Sequence, residues 1–195
     1  MDTARLVQLL EEALNLLRDT PATTVQDDGT KLVWGRKVSQ VFKDRVEWIA
    51  SELGFDPNWL MAAMAFESGE SFRPDIKNAA GSGATGLIQF MPTTAKNLGT
   101  SVQSLSKLTA EDQLKFVYKY FVPYRGRIKS LDDLYMAILW PAAIGKPADY
   151  KLFIRGGVTY RQNAGLDRDK NGYVSKAEAA AAVRAKYERG KDYLG

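Results

Sequence analysis

The sequence predicts a mainly α-helical fold, and three observations carry that expectation. Apolar residues recur at spacings of three and four in most segments. Ser, Thr or Asp stands just before several of those runs, with acids in the first turn that follows. No alternating apolar-polar segment is longer than about five residues, so there is little sign of a sheet.

Taken in order, Leu6, Leu9, Leu10, Ala13, Leu14 and Leu17 give one helical face over 3–17. Residues 19–34 hold Pro21, Asp27, Asp28 and Gly29 and read as a loop or short hairpin separating a helical arm from the body. Val38, Val41, Phe42, Val46, Ile49 and Leu53 form the next helical face, stopped at Gly54. Asp56-Pro57 then supplies a cap and a first-turn proline for a helix over 58–68, apolar nearly all round and so expected in the middle of the body.

Residues 71–85 are loop-like. Thr109 caps a helix with Leu114, Val117, Tyr118 and Phe121 on one face, and Ser130 caps another that Pro141 ends. These segments divide the chain into an arm and loop at 1–35, a helical domain at 36–155 and a tail at 156–195.

With 195 residues, 45% of them hydrophobic, the chain has material for one packed domain with an appendage. Its 27 Lys and Arg against 23 Asp and Glu leave a mild, scattered surplus that suits an anionic polymer but holds no basic block of the kind nucleic acid calls for. Zero Cys removes disulfides and thiolate nucleophiles, and zero His removes Ser-His triads and the commonest metal ligand. Catalysis is left to carboxylates, Lys, Tyr, Ser or Thr. No run approaches the ~18 apolar residues of a membrane helix, and the acids of the first twenty residues leave no signal-peptide core. The chain is therefore expected to be made in the cytoplasm without a signal peptide and without membrane insertion.

Glu67 stands out. Leu60 and Met64, seven and three residues before it, share its helical face, which places an acid where the core should be. Burial without a cation raises a carboxyl's pKa, and a carboxyl that keeps its proton near neutrality is a general acid. The other reading is an exposed glutamate at a helix end. Downstream, Gly81, Gly83 and Gly86 allow close backbone approach to a ligand, and Gln89 offers two donors and an acceptor.

The string Glu67-Ser68-Gly69, then Phe72 and Pro74, then Gly86-Leu87-Ile88-Gln89-Phe90-Met91-Pro92 resembles the soluble lytic transglycosylases, relatives of goose-type lysozyme that cleave the glycan of peptidoglycan. The strong likeness spans 56–98, with a looser helical one to about 153, and Ile88 replaces the family's usual Met. The resemblance implies a lysozyme-like helical fold, Glu67 as single acid/base, and Ser68, Gly86, Gln89 and Met91 beside the substrate. It implies no cofactor for catalysis. The family's Ala-Tyr-Asn-Ala-Gly signature should fall near 138–143, which reads Ile-Leu-Trp-Pro-Ala-Ala, so Trp140 and Pro141 stand in for the Tyr and Asn. That departure suggests a divergent, phage-type branch. Trp140 and Tyr135 are further candidates for substrate contact, and Tyr118, Tyr120, Tyr135 and Tyr150 for a hydroxyl near Glu67.

An ordinary glycosidase pairs two carboxylates. The nearest to Glu67 in sequence are Glu70 and Asp75, in the polar loop, while Phe90 and Met91 occupy the positions where goose-type enzymes place a second acid. A transglycosylase, closing a 1,6-anhydro ring on N-acetylmuramic acid without water, is the implied activity. A muramidase using Asp75 or Glu70 as base, and a non-catalytic wall-binding or virion module, are the alternatives. Its partners would be bacterial peptidoglycan strands, reached through a phage tail, a holin lesion or injection.

Separately, residues 167–178 fit the twelve-residue EF-hand loop. Asp167, Asp169 and Asn171 hold positions 1, 3 and 5, Gly172 the turn, Tyr173 the carbonyl at 7, Ser175 position 9 and Glu178 position 12. Ser175 and Glu178 also form a capping box for the helix that follows. The alternative is an Asx-rich turn capping that helix with no metal. The segment 156–165 makes a poor entering helix and no second loop is present, so the expectation is one structural calcium rather than a switch.

Overall fold

The computed structural model describes residues 31–79 and 81–195. The helix expected over 3–17, and the loop of 19–34 as far as residue 30, lie outside them. Within the described residues the fold is mainly helical, as the spacing predicts: α1 (Gln40–Leu53), α2 (Pro57–Glu67), α3 (Pro92–Asn97), α4 (Val102–Leu105), α5 (Ala110–Phe121), α6 (Leu131–Leu139), α7 (Val158–Asn163) and α8 (Lys176–Gly190).

The capping residues do what their chemistry demands. Ser39 accepts from Phe42 N, Asp56 from Asn58 N, Thr109 from Asp112 N and Ser130 from Asp133 N, each satisfying a donor that the first helical turn leaves orphaned. Gly54 ends α1 at φ 77°, a left-handed turn that costs glycine little. The helix α6 stops at Leu139, before the Trp140-Pro141 pair.

The centre of the molecule is α2. Leu60 through Ala65 are all fully buried, and burying each large side chain among them stabilises by about 1.5–3 kcal/mol relative to leaving it exposed. The helices α1, α6 and α8 pack around it, the α2–α8 contact being the most extensive between any two helices of the fold. Two apolar clusters result. One joins α1, α2 and α5 to residues 87–90; the other unites Ala62 of α2 with Tyr135 and Met136 of α6 and with Ala179, Ala180 and Val183 of α8. The alanine-rich face of α8 lets it lie close against α2.

Three features differ from the expectation. First, Leu32, Val33 and Trp34 are irregular and turn, as the loop reading has it, yet they are buried in the core. Leu32 exchanges backbone hydrogen bonds with Gly195, Trp34 N donates to Gly190 O, and the Trp34 ring stacks on Tyr193 at 4.9 Å. Their burial shows in no periodicity, because it comes from contacts with the C-terminal residues and not from an amphipathic element. Second, a two-stranded antiparallel sheet forms from β1 (Lys151–Ile154) and β2 (Tyr173–Ser175), paired Phe153 with Val174 and Ile154 with Tyr173. Strands of four and three residues are too short to show alternation. Third, the segment before the acidic loop does fold as a helix, α7, followed by a 3-10 turn at Ala164–Leu166.

Candidate active site

Glu67 is the last residue of α2, and the sequence places it there through the unbroken apolar run that precedes it. Its side chain is half-buried, and among the described residues no hydrogen bond or ion pair reaches its carboxylate. Burial raises its pKa from 4.5 to about 7. Two phenols sense its charge. The hydroxyls of Tyr120 and Tyr135 are pushed well above their usual range, first by burial and further by Glu67, with Tyr124 also acting on Tyr120. Tyr120 donates to Ala137 O at 2.8 Å, and Tyr135 sits edge-on to Phe66 at 5.5 Å. Of the other two tyrosines considered, Tyr118 accepts from Arg125 and packs on Trp48, and Tyr150 lies under Lys146.

After Glu67 the chain makes a tight reversal. Ser68 is buried, donating to Met64 O at 2.6 Å and accepting from Phe72 N at 3.0 Å. Its hydroxyl thus holds the reversal together, in place of the expected contact with substrate. Gly69, Glu70 and Phe72 all have positive φ, at 61°, 67° and 51°. Left-handed conformations are costly for non-glycine residues and persist only where surrounding contacts impose them. Phe72 is anchored against Trp34 and Phe42. The Glu70 carboxylate is held by Lys186 and by Arg189 Nε at 3.0 Å, both from α8. Asp75 is paired with Arg73 through two contacts of 2.9 and 2.7 Å. Arg73 holds the Asp75 carboxyl below its usual range. Glu70 is also lowered, Lys186 and Arg189 outweighing the rise that burial causes.

The second segment, 86–91, is a turn closed by reciprocal hydrogen bonds between Thr85 and Phe90. Gly86, at φ 88°, has a specific requirement: a Cβ there would lie 2.3 Å from Gln113 Oε1. The close approach is thus to a buried side chain, where a ligand had been expected. Gln89 adopts φ 51° and spends both amide hydrogens on Ile76 O and Gly86 O, leaving its oxygen as the atom without a bond to the turn. Met91 is exposed. Phe90 meets Tyr120 edge-on at 6.3 Å, so Tyr120 connects this turn to the residue whose charge it senses, Glu67. Trp140, half-exposed at the end of α6, packs edge-on to Phe153 at 5.3 Å.

Gln113 is the residue that sequence reasoning missed. Fully buried on α5, it accepts from Leu87 N at 2.7 Å and donates to Pro74 O and Leu105 O at 2.9 and 3.0 Å. Its signal was available: Gln113 falls beside Leu114 and four residues before Val117, a polar residue on the apolar face of its helix.

At the other end of the chain the acids of the 167–178 loop converge, with carboxylate oxygens of Asp167, Asp169 and Glu178 within 4.8 Å of one another. Asn171 N and Gly172 N donate to Asp167, Asn171 Nδ2 to Asp169, and Arg168 N and Ser175 N to Glu178. Tyr160 of α7 reaches Asp167 Oδ2 at 2.6 Å and is the main cause of its lowered pKa. The capping box of Ser175 and Glu178 is in place. Tyr173 lies on β2, which pairs with β1 of the body. The donor set is all oxygen, which suits a hard divalent cation.

Residues 46–117 match the family described as Transglycosylase SLT domain, a stretch that runs from α1 through Glu67 and the 86–91 turn to Gln113 and most of α5. No curated protein matches the chain. The match gives the chain a general assignment as a transglycosylase-like, lysozyme-like protein acting on peptidoglycan. The stretch that carries Glu67 and the 86–91 turn is therefore similar to an SLT, lysozyme-like domain, while α6 and α8, which also pack on α2, lie outside the match.

Proposed function

We propose that this chain is a peptidoglycan lytic transglycosylase that cleaves the β-1,4 bond between N-acetylmuramic acid and N-acetylglucosamine with Glu67 as its sole acid/base. The observation that carries the reading is the contrast among neighbouring acids. Among the described residues no cation stands against Glu67, and burial raises its pKa to about 7, while Glu70 and Asp75 are both committed to ion pairs and held ionised.

In this mechanism protonated Glu67 gives its proton to the glycosidic oxygen as the C1–O bond breaks, with the substrate's acetamido oxygen assisting at C1. The Glu67 carboxylate then takes the proton from the muramic C6 hydroxyl as O6 closes on C1. The carboxyl ends protonated, ready for another turnover, and no water is consumed. One residue serves as acid and then base because its pKa lies near working pH. Tyr120 and Tyr135 remain neutral phenols beside it, giving the site polar edges without a second charge. Gln89 through its free oxygen, Met91 and Trp140 are the groove candidates.

The reading extends to the tail, where Asp167, Asp169, Asn171, Ser175 and Glu178 with the Tyr173 carbonyl would hold one Ca2+ whose role is structural. The convergence of three carboxylates supports it. Because β2 pairs with β1 of the body, a single loop has a strand partner without a second EF-hand. The site of action is the bacterial cell wall, with the protein delivered by a phage tail, a holin lesion or injection.

The test is mass spectrometry of muropeptides released from purified peptidoglycan by the wild-type protein and by Glu67→Gln. Anhydromuramic products, lost in the variant, are expected. Reducing muramic ends would make the protein a muramidase, and no release by either protein would leave a binding module.

A further inference from the structure

The reversal after Glu67 is a costly conformation held from outside the matched domain. Three of the residues from Gly69 to Phe72 lie in the left-handed region, and two of those three are not glycine. Such geometry relaxes unless other contacts over-determine it. Two anchors do so here. One is Phe72, buried in an aromatic cluster. The other is Glu70, whose backbone N–H closes α2 by donating to Ala65 O at 2.7 Å while its carboxylate is gripped by Lys186 and Arg189. The Lys186 backbone is itself fixed, since its carbonyl accepts from Trp34 Nε1 at 2.9 Å. Lys186 and Arg189 belong to α8, which begins almost sixty residues after the matched stretch ends.

The geometry points to Glu70 as a positioning residue: its ion pairs with Lys186 and Arg189 hold the left-handed reversal and so fix the Glu67 carboxylate in its half-buried position, making α8 a part of the catalytic site. The inference rests on the reading of Glu67 as acid/base. Charged and titratable groups act on this region from three helices: Tyr120 from α5 with Tyr124 behind it, Tyr135 from α6, and Lys186 and Arg189 from α8.

Two variants act on the pair from opposite sides. Glu70→Gln removes a negative charge, and Lys186→Met with Arg189→Met removes two positive ones. A through-space electrostatic effect would move the Glu67 pKa down in the first and up in the second. A positioning role moves it down in both, because a loosened reversal admits water to the carboxyl. The measurement is a carbon-13 NMR titration of the Glu67 carboxyl in the full chain, paired with kcat and KM on purified peptidoglycan.

The expected result is a lowered Glu67 pKa in both variants, kcat reduced roughly ten- to a hundred-fold, KM little changed, and the three substitutions together no worse than Glu70→Gln alone. Glu70→Gly guards against misfolding, since glycine accepts φ 67° freely; it is expected to fold and still lose kcat. An unchanged Glu67 pKa and kcat in the folded variants, or pKa changes of opposite sign, would overturn the proposal. A wild-type protein without cleavage would instead defeat the functional reading, and the titration would still decide whether Glu70 positions Glu67.

Discussion

Glu67 and Glu178 are both glutamates at helix ends, yet their surroundings drive them in opposite directions. Glu67 closes α2 at its C-terminal end, where the helix dipole offers an anion nothing, and no donor or cation among the described residues meets it. Glu178 lies in the first turn of α8. Burial pushes it up, but the N–H and hydroxyl of Ser175 and the N–H of Arg168 bring its pKa down overall. One environment favours the protonated carboxyl. The other favours the charged one. What separates them is whether backbone donors were supplied, which follows from the end of the helix each residue occupies.

The largest effect expected from breaking this contrast is at Glu67. Glu67→Gln should reduce glycan cleavage by roughly 10²–10⁴-fold, the usual worth of general acid-base catalysis, read as initial rates of muropeptide release, with the circular dichroism spectrum unchanged.

Next comes the joint between the two regions. Lys176, directly after Ser175, makes a 2.5 Å ion pair with Asp133 of α6, the two side chains 4% and 5% exposed. Removing one partner of a buried pair strands the other's charge, so Lys176→Met should cost about 3–5 kcal/mol in denaturant unfolding.

The third prediction concerns pH. In the unfolded chain Glu67 titrates near 4.5 and in the folded protein near 7, so the folded state holds the proton more tightly. Its stability is greatest below about pH 4.5, falls as pH rises towards 7, and has lost this contribution above that, in total about 3 kcal/mol. Glu67→Gln should remove that component of the slope in thermal melts between pH 5 and 8. The cleavage rate should fall over the same interval, since the first step needs the protonated acid.

The smallest effect is at the acidic loop. Ca2+ at a hundred times its Kd should stabilise the wild-type protein by about 2.7 kcal/mol. Asp169→Ala, which loses a carboxylate but spares the capping box of Ser175 and Glu178, should unfold at a temperature that no longer responds to Ca2+. A wild-type protein whose unfolding temperature ignores Ca2+ would mean that the loop holds its helix without metal, and a response retained in the variant would mean that the stabilising ion binds without Asp169.

Much of this was legible before any coordinates. Among the described residues, every helix announced by a capping residue and an apolar stripe is present, since both signals are local, and Glu67 was conspicuous because an acid interrupts an apolar face. The roles of Ser68, Gly86 and Gln89 were harder to read. Each was judged by what its side chain can offer, whereas the fold spends those donors internally, and Gly86 serves the packing of Gln113. Glu70's partners stand 116 and 119 residues along the chain, beyond any pattern of spacing. The core role of Leu32–Trp34 depends on the C-terminal residues folding back on it.

The central claim is that one carboxylate acts alone, and digestion of peptidoglycan in oxygen-18 water tests it most directly. The account predicts anhydromuramic ends carrying no heavy oxygen, because the ring is closed by the sugar's own C6 hydroxyl. Reducing muramic ends labelled at C1 would contradict it, and would mean that a second group activates water at this site.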